Sequence, residues 1–279
     1  MTDFSRFLIL TDLDGTFLDR KGDTVPRNLE AIAHFCAHGG RFSVNTGRPH
    51  NTVLPTIPQI ATLQNAPSVH CNGAYLHDFR TGEFFFEETL PEKDAAELLR
   101  FALEYCADIP FRVMTRTQTR VFVPAGSDHP QIPGCDEQIT VFDLPVDRWP
   151  MGDWYKLVFI AEPARILQAR RDFVAVFGTR FAMTTSSARS FEVQLATCSK
   201  AAGLAKLRRY SPDTASRTLI ACGDFENDIP MLQAADVAIC PANAMDEVKA
   251  ICDLVLCDCD KGLIGDVVDA IASGRIQSK

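Results

Sequence analysis

The stretch FLILTDLDGTFL, residues 7–18, decides how this chain is read. An apolar run of strand length stops at two aspartates, Asp12 and Asp14, followed at once by Gly15 and Thr16. Two like charges at the end of a buried strand repel, and one of them takes up a proton unless a cation or hydrogen-bond donors keep both ionised. Something elsewhere in the chain, or bound by it, must compensate them.

Outward from that stretch, short apolar runs alternate with helical periodicity. PRNLEAIAHFCAHGG places Leu29, Ile32, Ala33 and Cys36 on one face, with Pro26 near its start and Gly39-Gly40 as a stop. RFSVNT then reads as a strand. The C-terminal part repeats the pattern: helical KAAGLAKLRRY, strand TLIACGD, helical DIPMLQAA, strand VAIC, helical AMDEVKAI, strand LVLC and helical GLIGDVVDAIA. Strands separated by helices at this spacing predict an α/β fold, a mostly parallel sheet with helices on both faces. Such sheets bind ligands beyond the carboxyl ends of their strands.

The middle of the chain differs. After TGEFFFEETL come a helix over 92–106 and the strands FRVMT and RVFVP. A Pro- and Asp-rich irregular stretch and the strand WYKLVFIA follow, then a helix over 164–177 and the strands RFAMTTSS and SFEVQL. One helix and two strands, twice, predict an inserted α+β domain over 81–189 with an antiparallel sheet. The α/β domain then takes 1–80 and 190–279.

Composition sets bounds. At 279 residues, 46% hydrophobic and 23% charged, the chain is long enough for two ordered domains. A net charge of −8 and no dense Lys/Arg cluster argue against a nucleic-acid partner. The N-terminus lacks a cationic segment followed by a long apolar one, and no window reaches membrane-span length, so the expectation is a cytoplasmic protein without a membrane partner. Ten cysteines, at 36, 71, 106, 135, 198, 222, 240, 252, 257 and 259, form no CxxC pair; several sit in apolar runs, where reduced thiols behave as small hydrophobes. Cys257 and Cys259 in LCDCDKG have no histidine neighbours and make a weak metal pair.

Four predicted strand ends carry polar chemistry. The first holds Asp12 and Asp14; the second, SVNTGR, ends in Thr46, Gly47 and Arg48. Lys200 opens the helix after the insert, and GDFENDIPML places Asp224, Asn227 and Asp228 between a strand and a helix. Several carboxylates with one ammonium, a hydroxyl and an amide suit phosphoryl transfer through a covalent aspartyl intermediate. An oxygen-rich carboxylate site selects a hard cation such as Mg²⁺, which keeps waters and substrate phosphate among its ligands. That cation is the compensating charge residues 7–18 require.

DLDGT, NTGR, SKAAGL and GDFENDIPML, in this order, resemble the four motifs of the haloacid dehalogenase (HAD) superfamily of phosphatases. CNGAYLHD at 71–78 and VKAICDLVLCDCDKG at 248–262 are similar to stretches of its Cof-type, class IIB subgroup. Asp14 and Gly47 are 33 positions apart, too few for a domain, whereas about 150 separate Arg48 from Lys200. The insertion therefore falls where the family carries its C2 cap.

The resemblance implies a role for each residue. Asp12 is the nucleophile and a Mg²⁺ ligand. Asp14 protonates the leaving alcohol, then deprotonates the hydrolytic water, while its backbone carbonyl touches the metal. Thr46 and the Gly47 amide bind phosphoryl oxygens, and Lys200 balances charge between Asp12 and the phosphate. Asp224 ligates the metal, Asp228 orients its waters, and Asn227 contacts phosphate or positions Lys200. Arg48 and Asn72 are substrate candidates, each with a structural loop role as its rival. Arg112, Arg116 and Arg120 are read by default as water-exposed strand positions. Two departures stand out: Ala201 replaces the usual glycine after Lys200, and AICPANA replaces AMGNA, with Cys240 and Pro241 in place of Met and Gly. The expectation is a Mg²⁺-dependent phosphatase for a small phosphorylated metabolite, with a sugar phosphomutase and a catalytically idle ligand sensor as the alternatives.

Overall fold

In a computed structural model the chain divides into two units, Met1–Phe86 with Ser199–Lys279, and Glu87–Cys198. The structure describes residues 2–124, 139–141 and 148–278. In chain order its strands are β1 (Phe7–Thr11), β2 (Arg41–Val44), β3 (Ser68–His70), β4 (Tyr75–Asp78), β5 (Glu83–Glu87), β6 (Phe111–Thr115) and β7 (Thr119–Phe122). They continue with β8 (Ile139–Val141), β9 (Trp154–Ile160), β10 (Phe181–Thr184), β11 (Ser190–Leu195), β12 (Thr218–Cys222), β13 (Val237–Pro241) and β14 (Leu254–Leu256).

The first unit is an α/β fold around a parallel sheet of order β14-β13-β12-β1-β2. Both faces of this sheet are covered, so its strands are apolar throughout and alternate residues enter different cores. Ile9, Val44, Ile220, Cys222 and Ile239 pack with the helices Pro26–Ala37 and Leu263–Ala272. Leu8, Leu10, Leu219, Ala221, Ala238 and Cys240 pack on the opposite face with Leu204 and Leu207 of the helix Lys200–Tyr210. Fully burying one such aliphatic side chain contributes about 1.5–3 kcal/mol. The chain leaves β1 toward β2 on one side, while β12, β13 and β14 extend the sheet on the other. The carboxyl ends of β1 and β12 therefore flank the topological switch point, where parallel sheets place ligands.

Three features of this unit are not evident in the periodicity. The helices His50–Thr56 and Ile60–Leu63 are too short to show it, and Pro55 lies inside the first. A three-stranded sheet, β3-β4-β5, flanks the core.

The second unit is α+β. Its sheet, of order β10-β11-β9-β6-β7-β8, is antiparallel apart from the β7–β8 pair, and it packs with the helices Glu92–Tyr105 and Pro163–Phe177. The units divide at residues 86/87 and 198/199, later than the sequence boundaries near 80 and 190. β5 pairs with β4 of the first unit, and β11 is hydrogen-bonded between β9 and β10 of the second, so each boundary follows sheet membership. The Pro- and Asp-rich stretch, with Cys135, lies largely outside the described residues.

Of Arg112, Arg116 and Arg120, two depart from the exposed default and Arg116 keeps it. Arg112 and Arg120 are buried. Arg120 is neutralised by Asp153, with contacts of 2.9 and 2.6 Å, and donates to the Pro150 carbonyl. Cross-strand register pairs Arg112 with Val121 and Val113 with Arg120, so Arg112 and Arg120 lie on opposite sheet faces and the three do not converge. Arg116, in the turn, pairs with Glu87 at 3.3 Å.

Candidate active site

Asp12 continues β1 by one residue, its N–H donating to the Cys222 carbonyl of β12 at 2.8 Å. That bond delivers a nearly buried carboxylate to the switch point. Lys200, fully buried, reaches it from the helix it opens: Nζ lies 2.5 Å from Asp12 Oδ1 and 2.6 Å from Asp228 Oδ1. The Ala201 departure does not disturb this start, because Ser199 Oγ caps the helix by accepting the Ala202 N–H at 3.1 Å. The helix also lies close to the turn at residues 71–73. A Cβ on Gly73, whose φ is +94°, would stand 2.3 Å from the Ser199 carbonyl oxygen.

Asp228 is a buttress. One oxygen takes Lys200 and the other accepts the N–H groups of Asp224 and Phe225 at 3.0 and 3.2 Å, which fixes the loop after β12. Asp224 is turned toward the first motif, where Thr16 Oγ1 donates to its Oδ1 at 2.8 Å. Gly15, at φ +73°, lets the chain pass this carboxylate, since a Cβ there would be 2.5 Å from Asp224 Oδ2. Oxygens of Asp12, Asp224 and Asp228 lie within 4.8 Å of one another.

The electrostatics show what such a cluster lacks. Burial, with Asp228 and Asp224 adding to it against the pull of Lys200, pushes the Asp12 carboxyl well above its ordinary value. Burial and the charge of Asp228 raise Asp224 to about 7. Burial disfavours the Lys200 ammonium, yet the charges of Asp12 and Asp228 outweigh it and raise its pKa. One ammonium does not satisfy three carboxylates. The crowded, all-oxygen donor set fits a hard divalent cation, which would let Asp12 and Asp224 ionise together.

Asp14 points elsewhere. Its side chain is half exposed, and Arg48 grips both its oxygens, Nε donating to Oδ2 at 2.8 Å and Nη2 to Oδ1. Arg48 Nη1 is held by Thr56 Oγ1 at 2.9 Å. Arg48 is thus tied to the first motif. Thr46 is buried at the end of β2, its Oγ1 accepting the Arg48 N–H at 3.1 Å; Gly47 forms the bend between them. Asn72 accepts from Asn227 Nδ2 at 3.3 Å, which links the turn after β3 to the loop after β12. Cys71 and Asn72 have φ of 48° and 51°, a left-handed pair that costs on the order of 1–3 kcal/mol per residue.

Sequence reasoning did not assign Thr16, Asn45 or Asn243 to the site. Asn45 Nδ2 holds the Lys200 carbonyl at 2.8 Å, and Asn243 Nδ2 donates to the Gly15 carbonyl at 2.8 Å. Each sits inside or beside a quoted motif, but its partner is distant in the chain. Asp258, Cys259 and Asp260 form a second acidic group, with both carboxylates paired to Arg20.

A family model described as haloacid dehalogenase-like hydrolase matches residues 9–267, and the chain belongs to that family. It is a phosphoric monoester hydrolase. Pyridoxal phosphate phosphatase YbhA of Escherichia coli (strain K12) is 25% identical over 266 residues, covering 90% of this chain and 93% of that protein. The 5-amino-6-(5-phospho-D-ribitylamino)uracil phosphatase YwtE of Bacillus subtilis (strain 168) is 25% identical over 294 residues, covering 96% and 98%. The crystal structure of SMU.1108c from Streptococcus mutans UA159 shares the fold, with a TM-score of 0.81 at 21% identity over 95% of this chain and 98% of that one. Phosphatases of this superfamily use a divalent metal ion. Among the described residues no helix is long and apolar enough to cross a membrane.

Proposed function

We propose that the protein is a cytoplasmic, Mg²⁺-dependent phosphatase that hydrolyses a small phosphate monoester, a sugar phosphate or similar metabolite, through an aspartyl-phosphate on Asp12. The observation that carries this reading is the convergence of Asp12, Asp224 and Asp228 on one point, with Lys200 bridging Asp12 and Asp228. Asp12 and Asp224, with the Asp14 carbonyl, would hold Mg²⁺, and Asp228 would support them. When bound, the ion neutralises the carboxylates and polarises the phosphoryl group.

Asp12 attacks phosphorus, and the bond to the leaving alcohol breaks as Asp14 gives that oxygen a proton. Lys200, Thr46 and the Gly47 amide share the charge on the phosphoryl oxygens. Asp14, now a carboxylate, takes a proton from water. That water attacks phosphorus and frees Asp12 and inorganic phosphate. Acid–base assistance of this kind is worth roughly 10²- to 10⁴-fold. Asn227 and Asn72 hold the phosphate-side loops together, and the inserted unit Glu87–Cys198 selects the substrate.

A phosphate-release screen tests this, run with and without Mg²⁺ over sugar phosphates, nucleotides and cofactor phosphates, including the esters for which the relatives are named. Wild-type turnover that vanishes in Asp12→Asn is the expected result. An isomeric sugar phosphate without inorganic phosphate would identify a mutase instead. No hydrolysis across the panel would leave a ligand sensor.

A further inference from the structure

Two stretches that the phosphoryl-transfer residues leave aside, AICPANA and LCDCDKG, meet at one side chain, Asn243. β13 ends at Pro241, whose ring fixes φ and whose carbonyl accepts the Ala244 N–H at 3.0 Å, so Asn243 stands in a stiffened turn. Its half-buried side chain is held at both ends. Nδ2 donates to the Gly15 carbonyl at 2.8 Å, and Oδ1 accepts the Cys259 N–H at 2.9 Å. A carbonyl on one side and an N–H on the other fix which way the amide faces.

The turn that carries Cys259 is anchored in its own right. Asp258 Oδ1 accepts the Asp260 N–H at 3.1 Å and caps the short helix Cys259–Lys261. Both carboxylates pair with the Arg20 guanidinium, and the Arg20 N–H donates to Asp260 Oδ1 at 2.9 Å. Residues 15–20 are therefore fastened at their start by Asn243 and at their end by this turn. Between the two fastenings lies Thr16, whose Oγ1 donates to Asp224 Oδ1 at 2.8 Å, and Gly15 passes the same carboxylate so closely that a Cβ would stand 2.5 Å from Oδ2. From the other side the Met245 N–H, two residues beyond Asn243, donates to the Asp224 carbonyl at 3.1 Å. One short loop thus holds the backbones of Gly15 and Asp224 against each other.

We propose, resting on the divalent-ion reading of the site given above, that Asn243 is a positioning residue which sets the affinity of the carboxylate cluster for Mg²⁺ by pinning Gly15 and Thr16 against Asp224. It acts through those two residues. Without the Nδ2 bond the Gly15 carbonyl is released and Thr16 Oγ1 loses its fixed approach to Asp224 Oδ1. Asp224 is then no longer kept within 4.8 Å of the Asp12 and Asp228 oxygens against their mutual repulsion. Groups that orient a metal ligand without supplying one typically carry about 10- to 100-fold in metal affinity.

The test is thermal unfolding of the full chain, stripped with EDTA and dialysed, over a Mg²⁺ titration. Binding raises Tm once the ion exceeds its Kd, so a weaker site moves the rise to higher Mg²⁺. Asn243→Ala is expected to move it about tenfold. Asn243→Asp keeps the shape and the acceptor for the Cys259 N–H but turns a second oxygen on the Gly15 carbonyl. It should move the rise the same way, although its added negative charge alone would draw the cation more tightly. Arg20→Ala, at the exposed end of the braced loop, should move the rise in the same direction by up to about fivefold, the reach of exposed ion pairs, and it carries the test should the Asn243 variants fail to fold. A Tm lowered equally at every Mg²⁺ concentration, with the rise in its wild-type place in the folded variants, makes the contact merely structural and overturns the proposal. A rise moved to lower Mg²⁺ in Asn243→Asp overturns it too. A wild type whose Tm ignores Mg²⁺ overturns the divalent-ion reading as well, so the two failures are told apart by the wild-type curve.

Discussion

Arg48 and Asp14 form a fork-to-fork ion pair, with both carboxylate oxygens of Asp14 engaged by Nε and Nη2 of one guanidinium. We propose that Arg48, a substrate candidate in the sequence, instead positions the proposed acid. Arg48 is itself fixed by Thr56 on its third nitrogen and by its backbone carbonyl, which accepts the Cys71 N–H at 3.3 Å.

A lysine keeps the charge at this position but not the planar fork. Part of the roughly 10²- to 10⁴-fold acid–base contribution should then be lost, and Arg48→Lys is expected to lower kcat by about tenfold or more with a smaller change in KM. Steady-state kinetics on an aryl phosphate checks this. A raised KM at unchanged kcat would return Arg48 to substrate binding.

Lys200 is the second test. It is fully buried between Asp12 and Asp228, so its removal strands two carboxylates away from water. Breaking a buried ion pair from one side costs about 3–5 kcal/mol. Lys200→Met, close in length and uncharged, should lose that much stability in urea unfolding with chelator present, and should lose turnover. Stability within about 0.5 kcal/mol of wild type, the range of a neutral surface change, would mean the carboxylates are not charged in the folded protein.

The alternation of apolar runs with helical faces made the α/β core legible, because a sheet covered on both sides needs continuous apolar strands such as residues 7–11. The strand-end motifs marked Asp12 and Asp224 for the same reason, since charge at the end of such a strand has few explanations, and Lys200 was marked by its place at the start of a helix. The orientation of the polar side chains was not legible. Whether Asp14 faces the carboxylate cluster or Arg48, and whether Asn72 meets Asn227, depends on rotamers and on left-handed backbone at residues 71 and 72, which leave no periodic signal. Arg112 and Arg120 read as exposed because sequence alone cannot show a partner such as Asp153.

The histidines near β3 give a pH prediction. His70 is fully buried, its Nδ1 lies 3.2 Å from the Arg48 carbonyl, and it stacks on Tyr75 at 5.1 Å. Burial first, then the charges of His50 and His77, hold its pKa well below 6.5. The folded protein keeps His70 neutral while the unfolded chain protonates it, so its contribution is fully present above pH 6.5 and is lost as pH falls below that value toward the folded pKa. His70→Asn, which keeps a donor for the Arg48 carbonyl, should lose less stability than wild type between pH 7.5 and about 5 in urea titrations. Parallel losses in the two proteins would remove His70 as the cause.

Metal removal separates the roles of the two flanking aspartates. With Asp12 and Asp224 both raised by burial and mutual charge, the cluster should bind Mg²⁺ with a gain in folding stability, about 2.7 kcal/mol at a hundredfold excess over Kd. EDTA should abolish turnover, and Mg²⁺ should restore it. Asp224→Asn is expected to lose both the Mg²⁺-dependent rise in Tm and the activity, because it removes a charge from the cluster itself. The Asp14 carboxylate faces Arg48 instead, so Asp14→Asn should keep the rise in Tm while losing activity. The distinction rests on where the two side chains point, and a wild-type Tm that does not respond to Mg²⁺ would defeat the divalent-ion reading for both.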